Sequence, residues 1–249
     1  MRASDDILSE VIQHARLFSK RHMSEPGISD TYGYFTRHLA APLNAKRLAS
    51  LLKKVQAMCF AENRPLRILD IACGGGLITC AMASLGHRAL GLDLSAQEIH
   101  LAKMFAAEEK MDGMFLQMDV LGNPHWEKTA EETLGGKPDV IVLAYALHHL
   151  PTVESFIERL SEWLPPTAHL LINEENPLSP MFRLKHQVRT WIQKDTASEK
   201  HRSFPDWKKL LEAHHFKVAH APVGLDLVPA LSRVKPGLCW SLVFSAERS

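Results

Sequence analysis

The sequence predicts an α/β protein with a mostly parallel β-sheet that helices cover on both faces. Short, almost continuously apolar segments alternate with longer segments of helical periodicity between residues 66 and 172. Strands of a parallel sheet have this continuous apolar character because helices bury both of their faces. Two of the apolar segments carry an acid at or near their end, Asp70 and Asp93, and three consecutive glycines follow the first segment. Glycines let a backbone approach a ligand closely, and an acid that ends the next strand can accept hydrogen bonds from both hydroxyls of a ribose.

The N-terminal part of the chain predicts two helices. Apolar residues recur at helical spacing over residues 5–22, and Pro26 with Gly27 ends that pattern. A short aromatic segment occupies residues 30–41. A second helix begins near Pro42, a residue suited to the first turn of a helix, and continues to residue 55.

From residue 66 onward, strands and helices alternate. Ser95 is a predicted N-cap, prolines 165 and 166 end a helix, and Ser203 with Asp206 begins another as a capping box. The predicted strands are residues 66–71, 89–92, 114–118, 140–143, 169–172, 216–221 and 238–245. The predicted helices are residues 77–85, 96–108, 152–164, 178–194 and 203–213.

Composition and length favour one globular domain over residues 1–249. No linker rich in glycine or serine divides the chain. We expect a helical cap or lid at 1–62, a ligand-binding core at 63–175, and a substrate-side insertion with the last two strands at 176–249. The net charge of +1 gives no field that would attract nucleic acid. Without a C-x-x-C pair, a signal-peptide core or a long apolar segment, a reducing cytoplasm is the expected compartment.

The turn after the first strand excludes the common phosphate-binding loops. Residues 70–76 contain neither G-x-G-x-x-G, since Thr79 stands where the last glycine would fall, nor the Gly-Lys-Ser/Thr of a Walker loop. The carboxylate of Asp70 is a poor neighbour for a pyrophosphate and suits a ligand with positive charge. S-adenosylmethionine carries a sulfonium and an ammonium group and has no phosphate.

Residues 66–175 resemble the class I S-adenosylmethionine-dependent methyltransferases. Motif I of that class reads D/E-x-G-x-G-x-G, and this chain departs from it only at Ala72. Residues 147–151, Leu-His-His-Leu-Pro, are similar to the small-molecule branch that includes ubiquinone-biosynthesis and antibiotic-sugar O-methyltransferases. The resemblance implies a Rossmann-like, mostly parallel seven-stranded sheet with an antiparallel C-terminal strand. It also implies S-adenosylmethionine as methyl donor and S-adenosylhomocysteine as product.

The resemblance assigns one set of residues to the methionine part of the cofactor. Ala72, Cys73 and Gly74 would lie against it, although the methyl group of Ala72 would crowd the ligand. Asp70 would hold the loop or meet the ammonium group; alternatively, it only caps neighbouring amides. Arg47, on the helix before the first strand, would meet the cofactor carboxylate, or would simply be a solvated helix residue.

A second set of residues is assigned to the adenosine part. Asp93 would bind the ribose hydroxyls, and Leu94 would pack on the adenine. Asp119 and the backbone amide of Val120 would read the adenine edge. The alternatives are an exposed acid without a role at 93 and an ordinary loop acid at 119.

Two histidines are the predicted catalytic residues. An imidazole with its ordinary pKa near ~6.5 can remove the proton of a hydroxyl nucleophile at neutral pH. His148 and His149 follow the fourth predicted strand, and ligands bind at the carboxyl ends of such strands. Glu174 is the candidate to orient the histidine or to share its role. Only one histidine is expected to be catalytic, and either could instead cap the next helix. Ala144 and Tyr145 would line the methyl-donor end.

Two segments are candidates for choosing the substrate. Residues 32–37 could close over the cofactor, or could anchor the first helix. Residues 180–194 form a basic amphipathic pattern that could contact a membrane surface or cover an apolar substrate; packing against the sheet is the favoured alternative.

The predicted function is methylation of a small molecule, most simply at a hydroxyl. Methylation of carbon or nitrogen, a cofactor-binding protein without catalysis, and a nicotinamide-dependent reductase are the alternatives. Nucleic-acid bases are disfavoured because residues 143–146, Leu-Ala-Tyr-Ala, lack an amide-recognition motif. The acids Asp139, Glu174 and Glu175 do not form a magnesium pattern, so no metal is expected. The acceptor and the oligomeric state are left open.

Overall fold

A computed structural model describes residues 4–22, 42–180, 182–184, 187, 200–218, 223–225 and 241–248. The chain comprises two compact units, residues 1–142 and residues 143–249. Their boundary falls inside the fourth strand, Val140–Ala144. The expectation of a single domain with a cap, a core and an insertion stays a prediction.

The first unit alternates helices with parallel strands, as the apolar pattern predicts. Strand β1 pairs with β2 in parallel, and β2 pairs with β3 in parallel, so that Gly91 of β2 lies between Asp70 and Phe115. The elements are α1 Ser4–His22, α2 Pro42–Glu62, β1 Arg67–Ile71, α3 Leu77–Ser84, β2 Arg88–Asp93, α4 Ala96–Glu108, β3 Met114–Gln117, α5 Trp126–Leu134 and β4 Val140–Ala144.

Helix α5 is the element of this unit that the sequence analysis missed. Its buried residues, Trp126, Ala130 and Leu134, recur every four positions, which is the spacing of one helix face. Only these three of its nine residues are buried, and acidic or polar residues fill most other positions, so the helical pattern of apolar residues is weak in the sequence. The predicted N-cap of α4 is confirmed, since the Ser95 hydroxyl accepts a hydrogen bond from the Glu98 N–H at 3.2 Å.

Helix α1 is held to α4 by an aromatic contact and by ion pairs. The ring of Phe18 meets that of Phe105 edge-on at 5.5 Å. The guanidinium of Arg21 pairs with Glu109, and His22 lies 2.9 Å from the carboxylate of Glu108. The predicted first helix therefore packs on the unit through its apolar face and a charged end.

The second unit gathers antiparallel strands around the last one. Strand β8 pairs antiparallel with β5, β6 and β7. After β4 come a 3₁₀ turn Leu147–His149, α6 Val153–Trp163, β5 His169–Glu175, α7 Phe204–Ala213, β6 Phe216–Val218, β7 Val223–Leu225 and β8 Ser241–Arg248.

The predicted fold class is confirmed. The strand order is β3-β2-β1-β4-β5-β8-β6, and the short strand β7, which was not predicted, also pairs with β8. The predicted end of the fifth strand at residue 172 is wrong, because pairing of Glu174 with Leu242 and of Glu175 with Ser241 extends β5 beyond its apolar run.

Several predictions fall on residues that the structure does not describe. They concern residues 32–37, most of 180–194, and Cys239; of the amphipathic segment, residues 182–184 and 187 are helical. Arg47 lies in α2, and its contact with the cofactor stays a prediction. Within the described ranges, no helix combines the length and the apolar character needed to cross a membrane.

Candidate functional site

The turn after β1, residues 72–76, is called here the glycine loop. Three of its residues have left-handed backbone geometry: Ala72 with φ of 58°, Gly74 with 51° and Gly76 with 79°. Glycine adopts this geometry without cost, whereas a side chain makes it unfavourable by about 1–2 kcal/mol. Ala72 is exposed and stands where motif I has a glycine. The backbone therefore adopts left-handed geometry at this position although the residue is not a glycine.

Asp93 ties the glycine loop to the start of α4. One carboxylate oxygen accepts the Gly74 N–H at 2.9 Å, and the other accepts the Ser95 N–H at 2.9 Å. Each oxygen can accept a further hydrogen bond, and the residue is half-buried at the end of β2. Next to it, Leu94 is 66% exposed, unusually high for a large apolar residue. Their predicted contacts with ribose and adenine stay predictions.

Gly91 lets the glycine loop pack directly on β2. A Cβ atom there would lie 2.7 Å from the Cys73 sulfur and 2.8 Å from the Thr79 hydroxyl. The Cys73 N–H donates to the Leu92 carbonyl at 3.0 Å. Burial holds the pKa of the Cys73 thiol well above its ordinary value, with the negative charge of Asp70 acting in the same direction. The cysteine is therefore a neutral, buried packing residue.

Asp70 is buried beneath the glycine loop, with 1% of its surface exposed. The Thr79 hydroxyl donates a 2.7 Å hydrogen bond to it, which links β1 to α3. Burial raises the pKa of Asp70 to about 7, the charge of Asp93 adds to the rise, and the hydrogen bond from Thr79 opposes it. The position supports a loop-holding role, and the contact with the cofactor ammonium stays a prediction.

Asp119 organises its own turn after β3. One of its oxygens accepts the N–H groups of Leu121 at 3.0 Å and of Gly122 at 2.8 Å. This is the arrangement of an ordinary loop acid, although the exposed carboxylate has further acceptor capacity. The roles of Asp119 and Val120 at the adenine edge stay predictions.

The second unit carries what is called here the histidine turn, residues 145–149. Tyr145 directly follows β4, has a left-handed φ of 58°, and donates its N–H to the Asn173 carbonyl at 2.8 Å. Ala144 and Tyr145 are half-buried. Two residues after Tyr145 the chain enters the 3₁₀ turn Leu147–His149, which contains both histidines.

His148 and Glu174 form a buried hydrogen-bonded pair. Nδ1 of His148 lies 2.7 Å from one oxygen of Glu174, and the other oxygen accepts the Leu147 N–H at 2.8 Å. The two residues are 6% and 2% exposed. When Nδ1 carries the proton and donates it to the carboxylate, the lone pair of the neutral ring is on Nε2. A carboxylate so placed orients the imidazole and stabilises its protonated form.

His149 differs from His148 in its surroundings. It is exposed, and its ring centre lies 4.0 Å from that of His148. The hydrogen bond described above joins Glu174 to His148. His148 is therefore the predicted histidine with a buried carboxylate partner, and the role of either histidine as a base stays a prediction.

The sequence analysis missed residues 200–202, which contact the histidine turn. The ring of His201 stacks on that of His148, with centres 4.7 Å apart and planes at 22°. Together with Phe182, Arg183 and Gln187, His201 lines a cavity of about 400 Å³. No spacing pattern points to this contact, because about fifty residues of chain separate the two rings.

Metal ligation finds no support among the described residues. No group of three or more histidine, cysteine, aspartate or glutamate side chains is placed there to hold a metal ion. In the part of the chain that the structure describes, Cys59, Cys73 and Cys80 are buried thiols that form no disulfide bond.

Comparisons with known proteins agree with this geometry. Residues 40–221 match a family model described as a methyltransferase domain. One relative, the ubiquinone biosynthesis O-methyltransferase of Brucella anthropi, is 29% identical over 201 residues, which cover 76% of this chain and 73% of that protein. The protein of the same name from Rickettsia akari is 26% identical over 159 residues, which cover 62% of this chain and 59% of that protein.

Solved structures share the fold. The magnesium protoporphyrin IX methyltransferase of Synechocystis PCC 6803, with bound SAH, superposes with a TM-score of 0.58 at 19% identity, over 84% of this chain and 89% of that one. A TehB-like SAM-dependent methyltransferase from Corynebacterium glutamicum gives 0.55 at 19% identity, over 90% of this chain and 100% of that one. At such identities the likeness is one of fold.

Proposed function

Since the chain belongs to the methyltransferase domain family and is an S-adenosylmethionine-dependent methyltransferase of small molecules, we propose that its acceptor is a hydroxyl group and that His148 is the general base. The observation that carries the proposal is the buried contact of 2.7 Å between His148 Nδ1 and Glu174. The relatives named as O-methyltransferases support a hydroxyl acceptor.

The first unit has residues that fit the cofactor. Asp93 is half-buried and keeps acceptor capacity on both oxygens, as a contact with two ribose hydroxyls requires. Leu94 exposes an apolar side chain that a flat base could cover. The backbone around Gly74 would face the methionine part. When bound, S-adenosylmethionine supplies a methyl group carried by a positively charged sulfur. On transfer of the methyl group the sulfur keeps the bond electrons and leaves as neutral S-adenosylhomocysteine.

The residues of the second unit would handle the acceptor proton. Nε2 of His148 would accept the proton from the acceptor hydroxyl, which makes the oxygen a stronger nucleophile. Glu174 would then face an imidazolium ion and stabilise it at Nδ1, where the carboxylate already lies. Because the Leu147 N–H holds the second oxygen of Glu174, the carboxylate keeps its orientation during the proton transfer.

The test begins with the chemistry of the product. The protein is incubated with ¹³C-methyl-labelled S-adenosylmethionine and with either catechol or a small-molecule cell extract. The ¹³C shift of the transferred methyl group distinguishes attachment to oxygen, nitrogen or carbon. A label on nitrogen or carbon alone would refute the hydroxyl acceptor.

Variants of the second unit then test the base. We expect His148→Gln and Glu174→Gln to lower kcat by about 100-fold or more, the usual range of general-base catalysis. S-adenosylhomocysteine should bind both variants with a Kd within about twofold of wild type in calorimetry, since neither residue is assigned to the cofactor. His149→Gln should lose less than about tenfold, and His100→Gln, an exposed change on α4, is the control. A His148→Gln variant with wild-type kcat would refute the base.

A further inference from the structure

Hydrogen bonds from the backbone and side chain of Lys200 join residues 200–202 to the histidine turn and to Pro151 just beyond it. The Lys200 N–H donates to the His148 carbonyl at 3.0 Å. The Lys200 ammonium group donates to the Pro151 carbonyl at 3.3 Å, just beyond the turn. Two attachments at one residue fix where the next side chain, His201, can lie.

The other end of this segment is attached as well. Arg202 pairs with Glu154 in the first turn of α6, and its guanidinium lies 5.3 Å from the ring centre of Trp207. His201 is thus held between two anchored neighbours. Contacts within the second unit therefore set the position of its ring.

The ring of His201 lies between two aromatic partners. It stacks on His148 at 4.7 Å and meets Phe182 edge-on, also at 4.7 Å. The hydrogen bond to Glu174 fixes the Nδ1 side of His148. A nearly parallel ring at 22° lies against the face of the imidazole and so restricts its tilt about that hydrogen bond.

We propose that His201 is a positioning residue for His148: its ring fixes the plane of the imidazole whose Nδ1 side Glu174 holds. The inference rests on the proposed role of His148 as base. A fixed plane directs Nε2 along one line, and small errors in such alignment can cost about 100-fold in rate. His201 therefore contributes to methyl transfer through His148 without needing to touch the acceptor.

Long-range ¹H–¹⁵N spectra of histidine-labelled protein test the positioning directly, with His148→Gln used to assign the signals. In wild type we expect His148 as one tautomer with the proton on Nδ1, which Glu174 holds in every variant. His201→Phe keeps a flat ring and should keep narrow His148 ring signals, whereas His201→Ala should broaden them, because the imidazole then samples several tilts about its hydrogen bond to Glu174. His201→Leu offers the same contrast if the alanine variant does not fold, and His100→Gln is the control. Wild-type His148 signals in both ring-less variants would overturn the proposal.

Kinetics supply the second readout. We expect His201→Ala to lower kcat about tenfold with an unchanged KM for S-adenosylmethionine, and His201→Phe to recover most of that loss. An active His148→Gln refutes the base, whereas unchanged His148 signals refute the positioning, so the two failures are distinguishable.

Discussion

The glycine loop of the first unit and the histidine turn of the second begin in the same way and are built differently. Each starts with a non-glycine residue at φ of 58° directly after a strand, Ala72 after β1 and Tyr145 after β4. Beyond that point, Asp93 fixes the loop through two backbone N–H groups, whereas Glu174 joins a backbone N–H to the side chain of His148. A backbone-built site holds a ligand in place, and a side-chain network can also move a proton.

The largest effect that separates the two regions is expected at Asp70, beneath the glycine loop. Its pKa is about 7 in the folded protein and near its ordinary value of 3.8 in the unfolded chain. Between these values the folded protein keeps a proton that the unfolded chain has lost. The stabilisation is therefore complete below about pH 4 and is lost as pH rises through about 7, by roughly 4 kcal/mol. Asp70→Asn should remove this dependence.

Thermal or urea unfolding at pH 5 and pH 8 measures this pH dependence of the free energy of unfolding. Wild type should lose more stability between these values than Asp70→Asn, and Asp112→Asn, an exposed acid of the same unit, should behave as wild type. Parallel pH profiles for wild type and Asp70→Asn would show that the buried carboxylate does not set the pH dependence of the first unit.

The next effect concerns Asp93 and the division of labour between the two regions. Asp93→Ala removes the anchor of the glycine loop and the proposed ribose contact, so the Kd for S-adenosylhomocysteine should rise about tenfold or more. Because Asp93 accepts backbone N–H groups of its own unit, at Gly74 and Ser95, we expect the NMR tautomer of His148 to stay unchanged.

Calorimetry with Asp112→Ala as the matched control measures the affinity. An Asp93→Ala variant with wild-type affinity would remove the sugar contact from the proposal. A changed His148 tautomer in the same variant would break the comparison, since one acid would then serve both regions.

The first region could be predicted largely from the sequence because its determinants are local. The glycines follow β1, and Asp93 and the Ser95 N-cap follow β2, the next strand along the chain, so that parallel pairing of two successive strands fixes which groups meet. Even the departure at Ala72 leaves the left-handed geometry of the loop intact. What spacing does not show is the burial of Asp70, because burial depends on the helices packed over the strand.

The second region could be predicted only in part because distant segments assemble it. The residue types of His148 and Glu174 indicated a base and its partner, yet Glu174 lies inside β5 because pairing with β8 extends that strand. His201 joins the site through a stack between segments about fifty residues apart. Such a contact follows from the path of the chain, which no local pattern specifies.

The smallest expected effect tests whether the left-handed backbone angle that Ala72 shares with Tyr145 lowers the stability of the protein. Ala72→Gly should stabilise the protein by about 0.5–1 kcal/mol, since glycine relieves the unfavourable φ but loses more freedom on folding. Ala83→Gly, on α3 close by, should instead destabilise by about 1 kcal/mol, as glycine does inside a helix. Urea unfolding compares the two, and S-adenosylhomocysteine should bind Ala72→Gly at least as tightly as wild type, because a methyl group beside the proposed ligand path is removed. Equal destabilisation by Ala72→Gly and Ala83→Gly would mean that the backbone at Ala72 is not strained. The φ angle that Ala72 shares with Tyr145 would then carry no measurable cost in the free energy of unfolding.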